Sequence, residues 1–512
     1  METTREVAGP VEAYSPAEER FNRRRQTVGL VLAPLTLVAL LAAPLPGLSP
    51  QAHRLAAILA TVVVLWITEA MPMAATAVLG PVLAVIFLVA PAQAALAPFA
   101  DPIIFLFIGG FILAQAMFVH GVDRRIAYTA LSSPLVGTSA ARILTVYGGV
   151  AALLSMWISN TATTAMLFPI GLSIVAHLRR VTSDEAASAA SLRKFALAMM
   201  LITSFGASIG GMGTPVGTPP NLIGIGMLER IAGVRISFFE WMSIGVPIVA
   251  VLFTFLVVMF SMTAGRGVSI GKESAAMVSA ELARLGPVSR GQRNVLLAFG
   301  LTVLLWVLPG FFAMAGVDGS AFARAYAVSI PEGVAAMVGA LLLFVLPIDW
   351  ASRRFTLTWD EAVRIDWGIV LLYGGGLAMG QLAFSTGLAG AMGEGVASWI
   401  PSHTTFALVA LFTGVGIVLS EATSNTASAN MIVPIVIAVS VAAGVRPIEP
   451  ALAATLGASM GFMMPISTAP NAIVYSSGCI PITSMMKYGL ALDVVAYVVI
   501  VAAVMLLGPV LF

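Results

Sequence analysis

Most of this chain consists of long apolar runs separated by short polar segments. Runs of about 20 mostly apolar residues predict transmembrane spans, and these spans must be helices because unpaired backbone groups are costly in lipid. We therefore expect eleven spans, near residues 28–46, 55–71, 73–91, 102–120, 195–228, 237–262, 294–316, 332–349, 367–388, 450–480 and 487–511.

Two further apolar segments, 143–178 and 404–441, are each interrupted near the middle by the tripeptide Ser-Asn-Thr. The apolar arms on either side of the tripeptide are roughly half a membrane span long or a little more. Such arms predict a re-entrant helical hairpin that enters and leaves the membrane on one side.

The two tripeptides belong to a long internal repeat. Ser424 follows Ser159 by 424 − 159 = 265 residues. The same offset relates further pairs, namely Pro169 with Pro434, Asp101 with Asp366, and Gly109-Gly110 with Gly374-Gly375. After a small length change the match continues, and Gly-Thr-Pro-Pro-Asn at 217–221 corresponds to Ser-Thr-Ala-Pro-Asn at 467–471. Each half of the chain therefore carries two polar, helix-breaking motifs.

Composition excludes a soluble globular protein. Of the 512 residues, 59% are hydrophobic and 10% are charged, and the mean hydropathy is +0.99. This much apolar surface needs a bilayer, so the predicted fold class is an all-α polytopic membrane protein. The single cysteine, Cys479, excludes an internal disulfide framework.

The segment before the first apolar run predicts a disordered cytoplasmic tail. Residues 1–27 carry charges, two prolines and three consecutive arginines at 23–25, with no apolar core. A signal peptide is the alternative, because basic residues precede an apolar run. The length of the tail and of that run favours an uncleaved first helix.

The distribution of positive residues favours a cytoplasmic N-terminus and a C-terminus outside. With both hairpins returning to their own side, five of the 26 Lys and Arg residues fall outside and 26 − 5 = 21 fall inside, as the positive-inside rule requires. The helix after Asp101 then runs inward and its copy after Asp366 runs outward, so the repeats are inverted. Inverted repeats with broken helices at the midplane are typical of secondary transporters, and we expect the plasma (inner) membrane.

This topology predicts four regions. They are the tail 1–27, the first span plus first inverted repeat 28–262 with the cytoplasmic-side hairpin 143–178, a cytoplasmic basic linker 263–293, and the second inverted repeat 294–512 with the outer-side hairpin 404–441.

The repeated motifs have a chemistry suited to ions. Proline and glycine in 217–221 and 467–471 release backbone carbonyls and amides inside the membrane. Freed carbonyls and hydroxyls can bind a small cation such as sodium, whereas helix N-termini attract anions. Asn160 and Asn425 each offer an amide donor and an acceptor, and Thr161 and Thr426 each add a hydroxyl. Two such sets suit a ligand with two anionic ends.

Several of these features, taken singly, also have a purely structural interpretation. Isolated Ser, Thr and Asn in membrane helices often bond only a neighbouring helix, but duplication at both hairpin tips argues for function. The paired glycines indicate close helix packing. Carboxylates inside apolar runs, at Glu69 and Glu421, are costly and often functional, although a structural hydrogen bond is equally expected for Glu69. No Lys or Arg lies within either hairpin core or near either proline motif, and no Walker loop or zinc helix is present.

These residues resemble the divalent anion/sodium symporter family, whose hallmark is a pair of Ser-Asn-Thr motifs, each followed by a Thr-Pro-Pro-Asn-like break. The family's Trp-x-Thr-Glu-Ala-x-Pro stands here at 66–72. The resemblance implies a transporter rather than an enzyme. It also implies a homodimer, with a transport domain that moves like an elevator against a scaffold, carrying a dicarboxylate, citrate or sulfate together with sodium. We expect no cofactor besides the co-transported sodium ions, and no nucleic-acid partner.

The resemblance also implies site residues. Substrate is expected at Ser159, Asn160, Thr161, Thr218, Ser424, Asn425, Thr426 and Thr468. The first sodium site is expected at Ser155, Asn160 and Gly217, and the second at Ser420, Thr423, Asn425 and Ser467, largely through backbone carbonyls.

Two departures from the family pattern bear on the second break. Ala469 replaces the first proline, and Ser467 stands opposite Gly217, which leaves the geometry of that break and the substrate choice open. The leading hypothesis is sodium-coupled uptake of a C4 dicarboxylate such as succinate, malate or fumarate. The alternatives are a sodium-independent dicarboxylate exchanger, a sulfate or citrate symporter, and a passive anion channel.

Overall fold

The computed structural model describes residues 16–133, 139–181, 186–264 and 272–512, and its architecture is almost entirely helical. The first half contains α1 (Pro16–Ala42), α2 (Pro50–Thr68), α3 (Met73–Ile86), α4 (Ala92–Leu96), a 3-10 turn (Ala97–Ala100), α5 (Pro102–Val119), α6 (Val122–Leu131), α7 (Ala140–Ser155), α8 (Asn160–Val181), α9 (Ala186–Gly211), α10 (Pro219–Ala232) and α11 (Phe238–Ala264).

After α12 (Lys272–Arg284), the second half contains α13 (Arg290–Met314), α14 (Ala321–Ser329), α15 (Glu332–Val345), a two-stranded antiparallel hairpin of β1 (Pro347–Asp349) and β2 (Arg354–Phe355), α16 (Trp359–Ala362), α17 (Trp367–Ser385), α18 (Leu388–Ala397), α19 (Thr405–Ala422), α20 (Asn425–Ala442), α21 (Ile448–Gly457), α22 (Ala469–Tyr475) and α23 (Ile482–Leu511).

The described residues contain 11 helices long and apolar enough to cross a membrane, or 12 if the bent pair α14 and α15 forms one span. This confirms a polytopic all-α membrane protein. The individual helices differ from the predicted runs, because α8, α19 and α20 are among the 11. The expected spans 195–228 and 450–480 are each broken into two helices, and the span 73–91 shortens to the 14 residues of α3. The breaks fall at the Gly- and Pro-rich motifs, where helical hydrogen bonds are lost.

Both Ser-Asn-Thr segments form a pair of helices that contact one another across a short break, α7 with α8 and α19 with α20. The arms are longer than the expected half span: α19 and α20 each have 18 residues, or about 27 Å of helix against a hydrocarbon core of about 30 Å. Sequence motifs locate the break, but arm length depends on where each helix ends. Re-entry on one side of the membrane stays a prediction.

The two halves interlock through reciprocal packing. Helix α3 of the first half packs against α17 of the second, and α15 of the second packs against α5 of the first. In the same way α10 packs against α20, and α22 packs against α8. This exchange of partners agrees with the repeat read from the sequence and brings the motifs of both halves together.

Glycines make the closest of these helix contacts possible. A Cβ at Gly109 in α5 would lie 2.6 Å from the backbone of Ala336 in α15, and a Cβ at Gly375 in α17 would clash with the carbonyl oxygen of Ala77 in α3. The predicted role of the paired glycines in close helix packing is therefore confirmed at both positions.

The N-terminal segment differs from the expected disordered tail 1–27. Helix α1 begins at Pro16, so 16–27 is helical, whereas 1–15 lies outside the described residues. Good helix formers such as Glu, Arg and Gln allow the first membrane helix to extend beyond the apolar run. Arg25 also forms an ion pair with Glu69 at 2.6 Å. The linker 263–293 likewise contains a helix, α12.

Candidate functional site

A cavity of about 610 Å³ lies where the motifs of the two halves meet. Its lining includes all eight residues expected to contact substrate: Ser159, Asn160, Thr161, Thr218, Ser424, Asn425, Thr426 and Thr468. Residues separated by 265 positions in the sequence thus share one cavity. The reciprocal packing of α10 on α20 and of α22 on α8 accounts for this convergence.

Helix N-termini dominate this part of the cavity. Helices α8, α10 and α20 begin at Asn160, Pro219 and Asn425, and all three residues line the cavity. The Ser159 hydroxyl accepts a hydrogen bond from the Ala162 N–H at 3.2 Å, as an N-cap does. Free N–H groups and the positive ends of three helix dipoles favour an anion here.

The residues of the first predicted sodium site lie together. The Ser155 hydroxyl, fully buried, donates to Asn160 Oδ1 at 2.6 Å. Gly217 lies beside the carbonyl of Met156, from which an added Cβ would be 2.9 Å away. Asn221 Nδ2 fixes the intervening loop by donating to the carbonyls of Gly211 at 2.9 Å and Thr214 at 2.8 Å. The arrangement gathers hydroxyl, amide and carbonyl oxygens, the ligands that a hard cation prefers.

The second predicted sodium site repeats these contacts. The Ser420 hydroxyl lies 2.8 Å from Asn425 Oδ1 and 2.9 Å from the Ala458 carbonyl. Asn471 Nδ2 donates to the carbonyls of Gly461 at 2.9 Å and Met464 at 3.0 Å, as Asn221 does in the first half. The side chain of Thr423 turns to the Ser428 hydroxyl at 2.8 Å, which leaves the backbone carbonyl of Thr423 as its available ligand.

The serine at 467 has a partner that the first site lacks. The Ser467 hydroxyl lies 2.6 Å from Glu421 Oε2, and Glu421 Oε1 accepts from the N–H groups of Phe462 at 2.5 Å and Met463 at 2.7 Å. Glu421 is buried but does not line the cavity. It therefore holds the unwound segment between α21 and α22 in place, and Ser467 completes this support.

Replacement of proline by Ala469 leaves the backbone conformation of the threonine just before the helix unchanged. Thr218, before α10, has φ −145° and ψ 143°, and Thr468, before α22, has φ −145° and ψ 145°. The Thr468 hydroxyl accepts a bond from the Asn471 N–H at 3.4 Å. Capping by Thr468 and the side chain of Asn471 thus position the helix start without a proline at its first residue.

Sequence reasoning missed two charged residues in the cavity wall. Arg364 and Asp366, in the segment that leads into α17, both line the cavity, although no basic residue lies near the motifs in sequence. The signal available was the repeat itself, because Asp366 is the copy of Asp101. Both aspartates cap a helix: Asp101 accepts from the Ile103 N–H at 2.9 Å, and Asp366 from the Ile369 N–H at 3.2 Å.

Two other carboxylates are structural. Glu69, at the end of α2, pairs with Arg25 and lies outside the cavity. Asp101 pairs with Arg230 of α10 at 2.6 Å and accepts from the Tyr373 hydroxyl at 3.3 Å. These contacts join α1 to α2, and α5 to α10 and α17.

Known proteins are similar to this chain over nearly its whole length. The family profile described as "Sodium:sulfate symporter transmembrane region" matches residues 24–512. The sodium-dependent dicarboxylate transporter SdcS of Staphylococcus saprophyticus is 34% identical over 487 residues, which cover 94% of this chain and 92% of the relative. SdcS of Staphylococcus aureus strain USA300 is 32% identical over 491 residues, covering 95% and 92%.

Among solved structures, the YdaH transporter of Alcanivorax borkumensis matches with a TM-score of 0.52 and 11% identity, covering 82% of this chain and 88% of that one. At this identity the similarity bears on the fold alone.

Proposed function

The chain belongs to the sodium:sulfate symporter family of membrane transporters, and from this premise we propose that it couples sodium to the uptake of a divalent anion. The proposed substrate is a C4 dicarboxylate such as succinate, malate or fumarate. The names of the relatives support a dicarboxylate, since both SdcS proteins are called sodium-dependent dicarboxylate transporters.

The observation that carries the proposal is the pairing of two equivalent polar sets on one cavity. Asn160 and Asn425 each sit at a helix N-terminus, each accept from a serine five residues earlier, and both line the same cavity. A dicarboxylate has two anionic ends, and each set offers amide, hydroxyl and N–H donors to one of them. The oxygens of Ser155 and Ser420 lie just behind these sets, where bound sodium would offset the negative charge of the substrate.

The residues that line the cavity also indicate from which side of the membrane a substrate reaches it. Its lining includes residues of the second half of α5, such as Gln115 and Phe118, and residues at the start of α17. In the topology with a cytoplasmic N-terminus, both of these helix ends face the cytoplasm. We therefore infer an inward-facing state in the plasma membrane. Elevator movement and a homodimer remain part of the proposal, on the strength of the family resemblance.

The test is uptake of labelled succinate by purified protein in empty liposomes, with and without an inward sodium gradient. Uphill uptake only with sodium is the expected result. Uptake that ignores sodium and needs preloaded dicarboxylate would instead identify an exchanger, and equilibration without accumulation would identify a channel. Sulfate and citrate, added as unlabelled competitors, test the choice of anion.

A further inference from the structure

The cavity wall has two chemically different parts. The part built by the helix N-termini carries the eight expected substrate residues, and none of them has a formal charge. The part built by α5 and the segment leading into α17 carries Arg364 and Asp366, the two charged residues in the lining. The only charged side chains of the lining that a substrate dianion can contact therefore belong to the second part.

The side chain of Arg364 is available for a ligand. It is exposed, and within the described ranges no carboxylate lies within ion-pair distance of its guanidinium. Its backbone N–H lies in the short segment between α16 and α17 and donates to the Glu361 carbonyl at 3.3 Å. The Asp366 carboxylate is held by the Ile369 N–H as the cap of α17, so its position in the wall is set by the helix that it begins.

We propose that Arg364 forms an accessory site for a carboxylate of the substrate, and that the negative charge of Asp366 weakens the binding of that carboxylate. This inference rests on the proposed function, because it takes the ligand to be a dianion. A guanidinium binds a carboxylate through charge-assisted, often bidentate, hydrogen bonds, and low-dielectric cavity walls focus its field toward the ligand. Arg364 attracts the dianion into the open cavity before the Ser-Asn-Thr sets bind it.

The experiment is a series of variants that changes the charge of this wall stepwise. Succinate affinity is measured by calorimetry on detergent-purified protein at fixed sodium, with ionic strength raised by choline chloride. Asp366→Asn makes the wall more positive and preserves the helix cap, because Asn caps as well as Asp. Arg364→Lys keeps the charge, and Arg364→Gln removes it. Arg354→Gln, an exposed arginine in β2 outside the cavity, is the matched control.

The expected order of affinity is Asp366→Asn above wild type, and Arg364→Gln roughly three- to tenfold weaker than wild type at low ionic strength. Arg364→Lys should lie between wild type and Arg364→Gln, because lysine keeps the charge and loses the bidentate geometry. The differences should shrink as salt screens the charges, and the double variant Arg364→Gln/Asp366→Asn should recover much of the lost affinity. Arg354→Gln should match wild type.

Equal affinity of Arg364→Gln and wild type at low ionic strength would overturn the accessory site. If Arg364→Gln fails to fold, Asp366→Asn decides the matter, because unchanged binding in that variant contradicts the proposed charge dependence. Failure of the proposed function looks different: wild type itself would show no sodium-dependent binding of succinate, sulfate or citrate, and the accessory site would fall with it.

Discussion

Replacement of Ser155 by alanine tests the first predicted sodium site most directly. The Ser155 side chain is fully buried, and its hydroxyl donates to Asn160 Oδ1 at 2.6 Å. Alanine removes one oxygen from the site and leaves the amide of Asn160 without the donor that orients it. The change adds no volume, so the packing of α7 on α9 is retained.

The magnitude follows from that one contact. A hydrogen bond of this kind contributes about 0.5–1.5 kcal/mol, and about 1.4 kcal/mol corresponds to a tenfold change in an equilibrium constant. Because sodium also loses a ligand oxygen, we expect the upper end of the range. The sodium concentration for half-maximal transport should rise roughly tenfold, whereas the maximal rate at saturating sodium changes less.

The assay is succinate uptake into proteoliposomes as a function of external sodium, with protein folding checked by thermal unfolding. Ser440→Ala is the matched control, because Ser440 is also fully buried but its hydroxyl bonds only the Val436 carbonyl within α20. An unchanged sodium dependence in folded Ser155→Ala protein would refute a role for Ser155 in sodium binding.

Three further changes probe other parts of the molecule. Asn160→Ala or Asn425→Ala should abolish succinate uptake in folded protein, and full activity in either variant would remove that residue from the site. Glu421→Ala leaves the N–H groups of Phe462 and Met463 without an acceptor and leaves the Ser467 hydroxyl only the backbone carbonyl of residue 421, so unfolding should become easier by about 1–3 kcal/mol and uptake should be lost, with Glu421→Gln largely restoring both. Burial raises the pKa of Asp123 in α6, outside the candidate spans, from 3.8 to about 6. The native state therefore binds this proton more tightly than the unfolded chain, and stability present below pH 3.8 is lost as pH rises through 6. Asp123→Asn should then raise the unfolding temperature at pH 8 and change it little near pH 4, and an equal effect at both pH values would contradict the shift.

The repeat made much of the site predictable from sequence. The alignment of Ser159 with Ser424 predicted equivalent polar motifs in both halves, and in the structure Asn160 and Asn425 line the same cavity. The bond that each asparagine accepts from a serine five residues earlier was not predicted. The breaks at 217–221 and 467–471 were predictable because proline and glycine act locally on the backbone.

Other features depended on residues far apart in sequence. Arg364 enters the cavity only because α17 packs beside α20 and α5. The support that Glu421 gives to Phe462 and Met463 spans more than forty residues of sequence, so nothing local to Ser467 explains its departure from glycine. The helical structure of 16–27 was missed because hydropathy locates the apolar part of a helix and not its polar extension.

By itself, then, the sequence determined the membrane-embedded helical class, the internal repeat and the positions of the helix breaks at the repeated motifs, since these follow from hydropathy and from the local chemistry of proline and glycine. Only the tertiary structure decided how long the hairpin arms are, which carboxylates are structural and which charges face the cavity. Those properties depend on which helices are neighbours, and the packing of one half of the chain against the other sets that choice.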